Sequence, residues 1–252
     1  MAEEVTSTGI PKLDELLMDG IPRGFTVLIE GSPGSGMELF AKQFAAAGVG
    51  NENVVYFPTN ETTEDLIGTM KRFNWPTDIK VVNIATEYYE KVLAKELEAS
   101  RLKQEGLSIV EISKFTGVPG ERETVNFLTA IVYEISKLKP PYRIVIDSLD
   151  FFLEHYPHKD VLSALRTIKA HTQYNNGLAL FTIVKDAYDK NLESAVEATV
   201  DVVLELEILR MAQEFENRLV IKKVKNRPEK AAILIYAITE TGVTPEMVTR
   251  VA

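Results

Sequence analysis

Gly31-Ser-Pro-Gly-Ser-Gly36 stands between the apolar run Thr26-Val-Leu-Ile-Glu30 and a helix-patterned segment from Glu38 to Ala47. Its G-x-x-x-x-G spacing suits the binding of an anion. In a phosphate-binding loop, successive backbone N–H groups form a concave nest at a helix N-terminus, where the helix dipole favours negative charge. Gly34 and Gly36 allow the backbone angles and the close approach to phosphate that such a nest requires. A working loop continues with Lys, whose ammonium bridges phosphates, and with Ser or Thr, whose hydroxyl ligates magnesium. Those two positions here are Met37 and Glu38. Met37 has no ammonium, and Glu38 aims a carboxylate at the place of a polyphosphate while itself gaining from the helix N-terminus. Gly31, Gly34, Ser35, Gly36, Met37 and Glu38 are therefore expected to form a degenerate nucleotide loop in which a carboxylate stands where an anion would bind.

Other chemistry-bearing residues fall at strand ends. Asp147 closes the run Arg143-Ile-Val-Ile-Asp147, and Glu61 follows Val54-Val-Tyr-Phe57 within Asn60-Glu61-Thr62. Read alone, Asp147 is a turn-forming strand end, and Glu61-Thr-Thr-Glu64 is cap-like. Lys185, after Leu178–Val184, is positioned to lean over the glycine loop as a substitute ammonium. Lys42, a turn and a half into the helix, is expected to point elsewhere. His155 and His158 lie near Glu154 and Asp160, but Pro157 breaks their helical facing and no third strong ligand is implied. The expectation there is a surface loop, and His171 has no evident role.

The elements that must position these groups are legible. Near-continuous apolar strands at 26–30, 54–57, 80–84, 143–147 and 178–184 alternate with helical segments, among them Thr63 to Phe73 with a Thr cap. That pattern implies parallel strands buried on both faces of a doubly wound α/β core. Strands at 200–209, 218–224 and 232–237 are joined too closely for crossover helices and must pair antiparallel. The long connection from Ala85 to Pro141 reads as a helical insertion. It carries one polar helix at 88–105, which could project from the body, and a second at about 122–137 with an apolar stripe. With no repeat or linker evident, one domain spanning 1–252 is expected.

Composition narrows the function. The 252 residues carry a net charge of −9, against a general nucleic-acid surface, and contain no cysteine. Four glutamines against abundant Glu and Lys give a thermophilic bias. No membrane-length apolar stretch and no signal-like N-terminus are read, so a cytoplasmic protein without membrane contact is expected.

Thr8-Gly-Ile-Pro-Lys-Leu-Asp-Glu-Leu-Leu17 and Gly20-Ile-Pro-Arg-Gly24, running directly into the glycine loop, resemble the KaiC-like branch of the RecA-superfamily P-loop ATPases. The match spans about forty residues, with Asp19 in place of one family glycine, and further motifs extend it to nearly everything outside 85–141. The resemblance implies a RecA-like fold with a mainly parallel sheet and antiparallel C-terminal strands. It makes Asp147 the Walker B residue that orients magnesium, and Glu61 the surviving candidate to activate water, with Asn60 replacing its usual partner. It places Lys223 and Lys225 at the K-x-R positions that reach a neighbouring subunit's phosphates, with Lys replacing Arg. Thr239–Pro245 resembles the family's closing turn.

With Met37 and Glu38 in the loop, ATP and magnesium are not expected as functional cofactors. The expected function is a catalytically inactive regulatory or scaffolding subunit. Its partner would be another protein, either a copy of itself or an active KaiC-like relative. Two alternatives stand beside it. One is a weak ATPase or kinase using a displaced lysine. The other is a DNA-associated recombination accessory, suggested by a helix-turn-helix echo over Glu105–Val118 with Ser113, Gly117 and Thr124-Val125. That echo has a turn about two residues too long and an acidic reading helix.

Overall fold

The computed structural model describes residues 4–108, 111, 126–211 and 214–245. Its centre is β3 (Thr26–Gly31), buried along its whole length. Parallel neighbours flank it on both sides, β7 (Leu178–Val184) and β8 (Val202–Met211), so that Gly31 lies beside both Val184 and Leu206. Beyond β7 come β6 (Tyr142–Asp147), β4 (Asn53–Pro58) and the two-residue β5 (Lys80–Val81), all parallel. On the other side β9 (Glu214–Val224), β10 (Ala232–Thr239) and β11 (Gly242–Pro245) continue the sheet antiparallel. This is the RecA-like α/β arrangement, a mostly parallel nine-stranded sheet with antiparallel C-terminal strands. A separate two-residue ladder pairs β1 (Val5–Thr6) with β2 (Ile21–Pro22).

Side-chain alternation sorts the core onto two faces. Val27 and Ile29 pack with α1 (Pro11–Leu16), α2 (Met37–Ala46) and α3 (Thr63–Arg72). Leu28 points the other way, into the cluster that holds Phe127, Ile131, Phe152, Leu165 and Val196 from the remaining helices. Among the described residues, the helices after α3 are α4 (Ile84–Tyr88), α5 (Ala94–Gln104), α6 (Phe127–Ser136), α7 (Asp150–His155), α8 (His158–Tyr174) and α9 (Lys190–Thr199). A strand covered on both faces reads as a continuous apolar run, which is why these strands are recognisable in the sequence.

Three boundaries differ from expectation. The strand expected at 80–84 ends at Val81, because the Asn83 side chain accepts from the Thr86 N–H at 2.8 Å and starts a helix there. That helix runs from Ile84 to Gln104 through a π-helical turn at Tyr89–Leu93, rather than beginning at 88. The helix expected from about 122 starts, among the described residues, at Phe127, where the Asn126 side chain accepts from the Thr129 N–H at 2.9 Å. The turn and second helix of the helix-turn-helix echo, with Ser113, Gly117, Thr124 and Val125, lie outside the described residues.

The amino ends of the strands are tied together by a buried ionic network. Arg143 Nε lies 2.8 Å from Glu52 Oε2, and Arg23 Nη2 lies 2.9 Å from Oε1. Arg143 also donates to Thr6 Oγ1 and to the Phe44 carbonyl. Gly31, Pro58, Asp147 and Val184 leave the sheet at its carboxyl ends. In open α/β sheets that edge is where ligands bind.

Candidate functional site

The glycine loop joins β3 to α2. Gly34 and Gly36 adopt φ of +87° and +79°, the left-handed region where a side chain is strained. Helix α2 begins at once, with the Leu39 and Phe40 N–H groups both donating to the Gly36 carbonyl. The C-terminal strands support the loop from below. Tyr236 Oη donates to the Ser35 carbonyl at 2.6 Å, and a Cβ on Gly36 would meet Ile238 Cδ1 at 2.7 Å. Met37 packs partly against the apolar core, while Glu38 is exposed at the mouth of the loop.

Asp147 is clamped by hydroxyls from the strands on either side of β6. Tyr56 Oη donates to Oδ2 at 2.6 Å and Thr182 Oγ1 to Oδ1 at 2.6 Å. Burial pushes the Tyr56 phenol far above its ordinary value, and the nearby charges of Asp147, Glu61 and Glu38 push it further. Beside Asp147, the Ser148 N–H donates to Thr59 Oγ1 at 2.7 Å, and Asn60 Nδ2 reaches Ser148 Oγ at 3.4 Å.

Glu61 does not cap α3. That role belongs to Thr62, whose side chain accepts from the Asp65 N–H at 3.1 Å. Glu61 instead meets Lys42. Contrary to expectation, Lys42 points into the site, with its Nζ 2.7 Å from Glu61 Oε1 and 3.4 Å from the Glu38 carbonyl. The Lys42 side chain is 2% exposed and that of Glu61 23%. Burial raises the Glu61 carboxyl above its ordinary value; Lys42 opposes that rise and the charge of Asp147 adds to it. The signal for Lys42 was present but weak. It stands four residues after Glu38, on the same helix face, between buried Ala41 and Phe44.

Lys185 does not lean over the loop. Its ammonium is paired with Glu205 and lies 3.6 Å from Glu207. On the same sheet face Lys222 bridges Glu30 at 2.5 Å, Glu197 at 2.9 Å and Glu205 at 3.1 Å.

Lys223 and Lys225 sit at the other end of the sheet from their own glycine loop. Lys223 Nζ donates to the Glu197 and Val200 carbonyls, both at 2.8 Å, closing the C-terminus of α9 where a cation suits the dipole. Lys225 Nζ lies 3.4 Å from Asp201 and over the Phe25 ring. His155 is not in a loop. It ends α7, stacks on Phe151 and meets Tyr88 Oη at 3.1 Å, while His171 stacks on Tyr142. Among the described residues, no three carboxylate, imidazole or thiol groups converge to hold a metal ion.

The family model "ATPase: KaiC" matches residues 6–247. This chain belongs to the KaiC ATPase family. A UPF0273 protein of Methanocaldococcus jannaschii is 26% identical to this KaiC-family chain over 242 residues, covering 94% of it and 93% of the relative. The archaeal flagellar ATP-binding protein FlaH of Sulfolobus acidocaldarius is 29% identical over 204 residues, covering 80% and 78%. A crystal structure of a KaiC-like protein from Pyrococcus horikoshii superposes with a TM-score of 0.64 at 19% identity, covering 98% of this chain and all of that one. Among the described residues, no helix is long and apolar enough to cross a membrane.

A KaiC-type fold implies magnesium and a nucleoside triphosphate. The groups that bear on that pair are Met37 and Glu38 after the last loop glycine, Glu61, which is bonded to Lys42, and Asp147, which accepts from Tyr56 and Thr182.

Proposed function

We propose that this KaiC-family chain is a catalytically silent subunit that regulates or scaffolds an assembly of copies of itself or of an active relative in the cytoplasm. The observation that carries the reading is the Lys42–Glu61 ion pair beside a loop that ends in Met37 and Glu38. Phosphoryl transfer rests on positioning and on neutralising phosphate charge. Here the groups that would do so at the loop are absent, and the carboxylate that would orient water is engaged by a lysine of its own chain. The engagement of Lys185 by Glu205 and Glu207 argues against a displaced lysine taking over.

Lys225 supports the assembly half of the reading, whereas Lys223 is engaged at the end of its own helix α9. Lys225 lies at the end of the sheet away from its own loop and keeps part of its side chain exposed, which suits contact with a neighbour. The FlaH relative is by name an ATP-binding protein, so ATP binding is what this chain would have given up.

Phosphate release from Mg-ATP by the purified chain tests the silent half. The expected result is no release above that of an Asp147→Asn variant. Release by the natural chain that Asp147→Asn abolishes would overturn the reading.

A further inference from the structure

We propose that the cleft between α8 and α9 takes a small phosphate-bearing ligand, held by Arg166, Lys169 and Gln173. The cleft lies apart from the glycine loop. Asp201 beside it bonds Thr26 at the start of β3, whereas the loop leaves from the end of that strand. Binding there is independent of whether the loop hydrolyses ATP. Three observations carry the site.

First, the cleft has the dimensions of a small-molecule site. Its volume is about 470 Å³, within the roughly 300–1,000 Å³ common to ligand pockets. Ala170 of α8 and Ala195 and Ala198 of α9 line it. These side chains are too short to fill the space between the two helices.

Second, its polar lining is cationic and holds donors with nothing to bond. Arg166, Lys169 and Gln173 succeed one another at intervals of three and four residues, so they share one face of α8. Among the described residues, no acidic side chain lines the cleft, Arg166 has no ion-pair partner and the Gln173 amide makes no hydrogen bond. The planar guanidinium fork matches two phosphate oxygens at once, and the amide supplies further N–H donors.

Third, positive charge is gathered behind this face with little to balance it. Lys169 Nζ lies 2.8 Å from both the Thr199 carbonyl and Asp201 Oδ1. Lys223 Nζ lies 2.8 Å from the Val200 carbonyl, and Lys225 Nζ lies 3.4 Å from the same Asp201 oxygen. Three ammonium groups thus meet the consecutive residues Thr199, Val200 and Asp201, of which Asp201 alone is acidic. Its other oxygen already accepts from the Thr26 N–H and hydroxyl. Lys223 and Lys225 do not line the cleft, but their charge adds to that of Arg166 and Lys169. Because the whole chain carries −9, this excess is a local feature that would draw an anion to the cleft. A phosphate monoester, with close to two negative charges at neutral pH and three acceptor oxygens, suits it better than a single carboxylate.

Calorimetric titration of the full chain with inorganic phosphate and with glycerol 3-phosphate tests the site, with glycerol as the uncharged control. The natural chain is expected to bind at least one of the two phosphates, more weakly as salt is raised, and not glycerol. Arg166→Ala should weaken that binding roughly tenfold to a hundredfold, since a charge-assisted hydrogen bond is lost. Arg166 is exposed and unpaired, so this variant keeps the fold. Arg166→Lys, which keeps the charge without the fork, should fall between the two. Ala198→Leu, at an exposed position of α9, should abolish binding by filling the cleft with the charge unchanged. A natural chain that binds neither phosphate would overturn the proposal. So would binding that survives both Arg166→Ala and Ala198→Leu, which would put the phosphate elsewhere on the chain.

Discussion

Lys42 of α2 and Glu61 of the loop after β4 form a 2.7 Å ion pair that joins the two halves of the site, the glycine loop and the carboxylate pair. Helix α2 grows out of the glycine loop, so the pair fixes the orientation of that loop relative to Asp147 and Tyr56. Removing one member of a largely buried pair strands the other charge. Lys42→Met should lower unfolding free energy by about 3 kcal/mol in urea titration. Lys42→Met/Glu61→Leu, which removes both charges, should recover most of that loss. A loss in the double variant as large as that of Lys42→Met would contradict this.

Tyr56 and Asp147 make a second prediction. Tyr56→Phe leaves Asp147 with the Thr182 hydroxyl alone. The loss of a buried hydrogen bond to a charged acceptor should destabilise the chain by about 1–3 kcal/mol, again by urea titration. Thr182→Val should do the same, and the two losses together should exceed their sum if the hydroxyls share the charge of one carboxylate.

Acid stability follows from two depressed carboxyls. Burial raises Glu52, but its bonds to Arg143 outweigh that and hold it below its ordinary 4.5. Burial likewise raises Asp201, and its bonds to Lys169 and Thr26 hold it below 3.8. A lowered folded-state value contributes stability that is complete above the unfolded value and is lost as pH falls through the folded one. Glu30 and Glu61, raised chiefly by burial, act in the opposite sense, gaining stability as they take up protons. The unfolding midpoint should therefore hold until pH passes below 4.5 and then fall. Glu52→Gln should flatten that acid limb and, by leaving Arg143 poorly paired, lower stability at pH 7 by about 3 kcal/mol. A Glu52→Gln profile parallel to that of the natural chain would show that Glu52 does not titrate with folding.

Much of this was legible in the sequence, for physical reasons that also mark its limit. Val27, Leu28 and Ile29 read as a parallel strand because both sheet faces are covered. Gly34 and Gly36 stood out between a strand and a helix, and both adopt positive φ. Asp147 stood out as a strand end. Lys42 did not, because helical spacing tells which face a side chain takes but not what that face meets. Here the sheet order is β3-β7-β6-β4. That order brings the loop after β4 within reach of a helix that follows β3, and crossovers of this kind are absent from the linear pattern. Lys185 failed for the same reason. Its position at a strand end suggested the loop, while the neighbouring β8 offered Glu205 and Glu207. The strand expected to run to Ile84 was overruled locally by the Asn83 cap.

Thermal unfolding with and without millimolar Mg-ATP, on the natural chain and on Met37→Lys/Glu38→Thr, tests the central claim most directly. A ligand at a hundred times its dissociation constant adds about 2.7 kcal/mol, or roughly 5–10 °C for a chain of this size. The account predicts no shift for the natural chain and a clear shift for the restored loop. A shift of that size in the natural chain, unchanged in the restored variant, would contradict it.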